Sequence, residues 1–188
     1  VYAGWCSKHI TALLQSRGCD AMGLAGCDAS LIKASRRAPR LLSDGKTTLD
    51  YGLIGDVKPE SVNAEALLKL IDSGIVPVFC AISHDGCGEL LNTNADTIAS
   101  AISAAINAEL LYCFEKNGVL YSLNDPDSVI PSLDLGAYTR LKEEGRVAQG
   151  MIPKLDNAFS ALRAGAASVR ILHSESLLDG DAGTKLTL

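Results

Sequence analysis

Apolar positions along this chain recur with two periods, and the switches between them divide it into elements. Ile10, Leu13 and Leu14 mark one face of a helix that ends near Arg17-Gly18. Cys19 to Leu24 is a short apolar run, read as a strand, and it leads into the loop Gly23-Leu24-Ala25-Gly26. Ser43-Asp44-Gly45-Lys46 signals a turn between extended segments. Tyr51 to Val57 reads as a strand interrupted by Gly52 and Gly55, so this region predicts a hairpin. Ser61 to Ser73 is an amphipathic helix with Leu67, Leu68 and Ile71 inward, Asn63 or Ser61 as cap and Gly74 as stop. Ile75 to Ile82 is a near-continuous apolar run, which suits a strand buried on both faces. His84-Asp85-Gly86 breaks it at the carboxyl end, where open α/β sheets bind ligands.

The second half repeats the alternation. Asn94 suits an N-cap, and Ile98, Ile102 and Ile106 form one apolar row on the helix that follows. Glu109 to Phe114 is another buried-type strand, followed by a turn at Gly118 and a short extended piece. Asn124-Asp125-Pro126-Asp127 is a loop, and Leu133 to Arg140 with Leu141 to Gly145 reads as helix and turn. A helix then opens at Pro153, carries Leu155, Phe159 and Leu162 at i, i+4 and i+7, and closes at Gly165. Ser168 to His173 is the last strand, and a tail holds Gly183-Thr184. Strands alternating with helices imply an α/β fold whose parallel strands are joined by right-handed crossovers.

Composition narrows the function classes. The chain has 188 residues, is 47% hydrophobic and 21% charged, and carries a net charge of −5. That describes a globular chain with no basic stripe, which argues against a nucleic-acid surface. No apolar run approaches a membrane span. None of the six cysteines form a C-x-x-C pair and the three histidines do not cluster with them, so a zinc site is not expected. Free thiols and a cytoplasmic location are. No G-x-G-x-x-G is present, so a dinucleotide fingerprint is not supported. Asp28 reads as a turn aspartate, and Arg36, Arg37 and Arg40 as a solvated basic face.

Two stretches hold candidate chemistry. Lys154 falls in the first turn of its helix, where the helix dipole disfavours a cation. It is either an exposed lysine at small cost or one arm of an anion site, with backbone N–H groups as the other arm. Asp96 likewise falls in a first turn, where it either complements the dipole or orients cations near a phosphate. Asn92, nearby, would then hydrogen-bond a polar substrate.

Taken together, Val1-Tyr2-Ala3-Gly4 with Lys8-His9-Ile10, Asn92-Thr93-Asn94-Ala95-Asp96, Gly150-Met151-Ile152-Pro153-Lys154 and Gly183-Thr184 resemble the amino-acid-kinase family. The closest resemblance is to the branch that phosphorylates N-acylated glutamate. The resemblance implies a three-layer αβα sandwich with a mainly parallel sheet, N-terminally incomplete. It implies an acyl-glutamate-binding lobe over 1–107 and a nucleotide-binding lobe over 108–188. The reaction implied is phosphoryl transfer from ATP, with Mg, to the γ-carboxylate of N-acetyl-L-glutamate or a related N-acyl-glutamate, in arginine biosynthesis. Asn92 would bind substrate, Asp96 would organise catalytic lysines, and Lys154 would stabilise the transferring phosphoryl group. Lys154, Gly118 and Gly150 would line the nucleotide site, beside the segment Phe114 to Leu120 and the strand end near His173. A homodimer is implied, with the opening helix as interface; no nucleic-acid or membrane partner is.

The family's first strand, phosphate-binding lysine and glycine pairs would lie upstream of Val1, so the 188-residue chain alone is expected to turn over little or not at all. Gln149 stands where glycine is common, Ser7 where asparagine is, and Phe114-Glu115-Lys116 where Thr-Asp-Val is commoner. The alternatives are a nucleotide-binding regulatory module without catalysis, or another amino-acid kinase.

Overall fold

A computed structural model describes residues 1–122, 124–147 and 150–188; Gln149 lies outside the described residues. The chain divides into two compact units, Val1–Ala101 and Ile102–Leu188.

In the first unit, a π-helical turn at Tyr2–Cys6 leads into α1 (Ser7–Gln15) and then β1 (Ala21–Leu24). Four two-residue strands follow: β2 (Ser35–Arg36), β3 (Arg40–Leu41), β4 (Thr48–Leu49) and β5 (Gly55–Asp56). Then come α2 (Ala64–Asp72), β6 (Val76–Phe79), β7 (Ile82–His84), β8 (Leu90–Asn92) and α3 (Ala95–Ala105), which carries the boundary between the units. β1 and β6 pair in parallel, Ala21 opposite Val76 and Leu24 opposite Phe79. β3 and β4 form a hairpin across the Ser43–Lys46 turn, whereas of the strand expected over Tyr51 to Val57 only Gly55–Asp56 forms one, paired antiparallel with β2. Asn63 caps α2 by accepting the Ala66 N–H at 3.1 Å, and Gly74 follows it at φ +85°. Both were expected from the sequence.

Three expected faces differ. α1 docks through its small polar residues. A Cβ on Gly23 would stand 2.5 Å from Ser7 Oγ and 2.6 Å from Thr11 Oγ1, so only glycine in β1 lets the helix approach this closely. Lys8 Nζ seals the contact by donating to the Gly23 carbonyl at 2.8 Å. The close approach turns Ile10 and Leu13 outward, each 45% exposed. On α2 only Leu67 is buried, while Leu68 and Ile71 remain exposed. The run from Ile75 to Ile82 breaks between β6 and β7, and Val76 is exposed, because among the described residues β1 is the one strand paired with β6.

In the second unit β9 (Glu109–Phe114) is followed by β10 (Ser132–Asp134), α4 (Leu135–Glu143), α5 (Ile152–Arg163), β11 (Ser168–His173) and β12 (Thr184–Thr187). The sheet order is β10-β12-β11-β9. β9 runs parallel to β11 and β10 parallel to β12, while β11 and β12 are antiparallel. β9 and β11 match the sequence reading. β10 and β12 do not: β10 overlaps the first two residues of the helix expected from Leu133, which starts at Leu135 instead, and β12 falls in the expected tail. Leu155, Ala158, Phe159 and Ala161 of α5 are buried, and so are Val169, Ile171, Leu172 and Leu186 of the sheet. Leu162 is half-buried, and Ala158 and Ala161 lie in the buried stripe instead. Helix α5 begins at Ile152, which makes Pro153 its second residue; Pro tolerates this because first-turn N–H groups have no intrahelical partner. Ile98 of α3 is buried, whereas Ile102 and Ile106 are half-buried.

Candidate active site

The second unit holds an open cavity of about 640 Å³ at one end of its sheet. Parallel pairing sets Phe114 opposite His173, so β9 and β11 end together and their carboxyl ends form one wall. Glu115 and Lys116 extend that wall, and Gly150, Met151 and Lys154 supply the other from the start of α5. Lys154 is half-buried, and its Nζ lies 4.0 Å from the centroid of the Phe114 ring. The N-cap residue of α5 is Met151, whose side chain has no oxygen to accept the first N–H groups. The positive end of the helix and the lysine ammonium thus face the same cavity. A smaller space of about 90 Å³ shares Lys116 and Met151 with it and is walled by Gly118, Val119, Leu120, Arg146 and Val147.

The structure gives Gly118 a packing role as well. A Cβ there would stand 2.8 Å from Thr184 Oγ1 and 2.9 Å from Val129 Cγ1. Thr184 is fully buried, and its Oγ1 accepts the Val119 N–H at 2.8 Å. Gly183 precedes it at φ +85°, and a Cβ there would run into the Ile171 carbonyl. The Gly183-Thr184 pair therefore fixes the turn behind the smaller space. At Gly150 an added Cβ would meet nothing within 4 Å, so that position is open to the cavity.

Asn92 and Asp96 belong to the first unit. β8 and the start of α3 place them by alternation. Thr93 points inward, its Oγ1 donating to the Ala81 carbonyl at 3.1 Å, with Ser83 Oγ 3.3 Å away. Asn92 on one side of it is exposed, held by its own backbone N–H on the Leu53 carbonyl at 2.8 Å. Asn94 on the other side caps α3, its Oδ1 accepting the Thr97 N–H at 3.1 Å. Asp96 is half-buried in the first turn of α3, and its carbonyl accepts the Ser100 hydroxyl at 2.9 Å. The sequence reading singled out the residues flanking Thr93 but not the anchor itself.

Other candidates have structural work. Asp28 accepts the Ala25 N–H at 2.7 Å and closes a turn. In the basic cluster Arg37 pairs with Asp56, and that hydrogen bond raises the guanidinium pKa. Arg36 lies 3.8 Å from Asp50. Among the described residues no group of three or more His, Cys, Asp or Glu side chains is arranged to hold a metal ion.

Comparison with known proteins decides the family. A profile of the amino acid kinase family matches residues 1–173. The chain belongs to the amino acid kinase family. Its curated relatives in this family include the acetylglutamate kinase of Cytophaga hutchinsonii, 45% identical over 99% of this chain and 71% of its own. The acetylglutamate kinase of Bacteroides thetaiotaomicron is 43% identical over 99% of this chain and 70% of its own. A Streptococcus mutans protein of known crystal structure shares the fold at a TM-score of 0.75 and 23% identity, over 99% of this chain and 68% of that one. This member of the amino acid kinase family is thus a kinase-type phosphotransferase. Among the described residues no helix is long and apolar enough to cross a membrane.

Proposed function

We propose that this chain serves the ATP-dependent phosphorylation of the γ-carboxylate of N-acetyl-L-glutamate or a related N-acyl-glutamate, a step of arginine biosynthesis, with its second unit as the nucleotide lobe and its first as the acyl-glutamate lobe. The observation that carries the reading is Lys154 at the uncapped start of α5, facing a cavity at the carboxyl ends of two parallel strands. Acetylglutamate kinases at 43–45% identity support the choice of acceptor.

A carboxylate is already a competent nucleophile, so no general base is required; the work left to the protein is positioning and electrostatics. ATP supplies the phosphoryl group, and Mg²⁺ travels on its phosphates. Mg²⁺ bound in this way would keep several waters and need few protein carboxylates, and Glu115 in the cavity wall is a carboxylate within that small requirement. Lys154 and the first-turn N–H groups of α5 hold the phosphate chain and offset charge as it develops. Val119, Leu120, Val147 and Met151 shelter the base. Asn92 is the residue that would hydrogen-bond the acyl-glutamate, and Asp96 the carboxylate that would organise catalytic lysines. The face carrying Trp5, Ile10 and Leu13 is open and apolar, and supports a homodimer through the opening helix.

Calorimetry with N-acetyl-L-glutamate tests the acceptor. Asn92→Ala is expected to weaken its binding about tenfold, the loss of one or two polar contacts, and to leave MgADP binding unchanged. Carbamate or aspartate binding in preference to N-acetyl-L-glutamate would contradict the assignment.

A further inference from the structure

We propose that Lys116 is a further nucleotide-binding residue, one that meets the α-phosphate; this rests on the nucleotide-site reading of the second unit. Lys116 and Met151 line both the cavity at the start of α5 and the smaller space beside it. A nucleoside diphosphate with its base in the smaller space and its outer phosphate at Lys154 runs its ribose and α-phosphate past these two residues. Met151 offers a thioether, which packs against the sugar but brings no charge. Lys116 brings a compact positive charge on a flexible stem, which suits a phosphate oxygen.

The chain holds the Lys116 backbone from both ends. On one side β9 stops at Phe114, in register with His173 of β11. On the other, Gly118 packs so closely that a Cβ would stand 2.8 Å from Thr184 Oγ1, and the Val119 N–H donates to that same oxygen at 2.8 Å. Only Glu115, Lys116 and Asn117 span the interval, so the backbone is fixed while the Lys116 side chain stays exposed. The charged residues that line the cavity with Lys116 are Glu115, Lys154 and His173, and Arg146 lines the smaller space. Two lysines against one glutamate leave the cavity wall with an excess of positive charge. Lys116 enters from the loop after β9 and Lys154 from α5, so the two ammonium groups suit different phosphates of one nucleotide.

Competition calorimetry with MgADP, AMP and adenosine tests this. Lys116→Met keeps the length of the stem and removes the charge. It is expected to weaken MgADP and AMP alike, each about fivefold, and to change adenosine less than about twofold. Lys154→Ala is expected to weaken MgADP but to leave AMP within about twofold, since AMP has no outer phosphate. Lys116→Arg, which keeps the charge, should restore most of the affinity for both. Equal losses for adenosine and AMP would make the stem a packing surface. Loss for MgADP without loss for AMP would move the contact to the outer phosphate. Either result, or no loss at all, overturns the proposal and leaves the nucleotide site standing. If the wild-type chain binds none of the three ligands, or Lys154→Ala leaves MgADP affinity unchanged, the nucleotide-site reading fails and this inference falls with it.

Discussion

The Tyr138 hydroxyl donates to the Asp156 carboxylate across 2.7 Å, tying α4 to the helix that presents Lys154. Lys142 donates to both oxygens of the same carboxylate at 3.0 Å, and the Ile152 carbonyl lies 3.3 Å from the tyrosine oxygen as a weaker acceptor. The Tyr138 ring, buried, stacks on Phe159. The first turn of α5 is therefore braced from one side by a hydrogen-bonded group and from below by a ring pair.

Tyr138→Phe keeps the ring and removes the brace. The expected loss is about 1 kcal/mol or less, because the Asp156 side chain is 49% exposed and water replaces part of what is lost. Urea unfolding checks this: the midpoint should fall with the slope unchanged. An unchanged midpoint would show that the bond contributes nothing net.

The same cluster predicts the pH dependence. Burial, together with the bond to Asp156, pushes the Tyr138 hydroxyl up to about 12, and the hydrogen bond to Asp156 raises Lys142. Groups raised on folding contribute stability that is full below their unfolded values, about 10 here, and that is lost as pH rises through the folded ones. Burial raises Asp156, but the bonds from Tyr138 and Lys142 outweigh it and hold the carboxyl below its ordinary value. Its contribution is full above the unfolded value of about 4 and is lost as pH falls through the lower folded value. Denaturation midpoints measured from pH 9 to 12 should fall less steeply for Tyr138→Phe than for the wild type. Parallel profiles would contradict the assignment.

Thr184→Val tests the turn behind the smaller space. It is nearly isosteric and leaves the Val119 N–H without its acceptor in a buried place, at an expected cost of about 1–3 kcal/mol. Hydrogen exchange at the Val119 amide should accelerate. Protection equal to the wild type would mean another acceptor takes over.

Gly118→Ala separates packing from ligand contact. The added methyl meets Thr184 and Val129, so overpacking should cost about 1–3 kcal/mol. A drop in thermal stability with MgADP affinity retained in the folded fraction would make Gly118 a packing residue. Lost affinity at unchanged stability would make it a nucleotide contact.

Much of this was legible in the residues. β9 and β11 are six-residue strands with clear bounds, and Asn63 and Asn94 announce their helices as caps. β10 and β12 escaped because each is short and has a single apolar residue, Ser-Leu-Asp and Thr-Lys-Leu-Thr. Their place comes from the strands beside them, not from local preference. The outward turn of Ile10 and Leu13 escaped too, because it depends on a glycine in the next element rather than on helical period. At the site, Lys154 is visible as a cation in the wrong helical turn. The Phe114 contact is not, since no periodicity links residues so far apart in sequence.

The most direct measurement is calorimetric titration of MgADP into the wild-type chain and into Lys154→Ala. Loss of a charge-assisted phosphate contact should weaken binding about 10- to 100-fold in the variant, with its circular dichroism native. Equal affinity in the two proteins, or no binding by a natively folded wild type, would contradict the account.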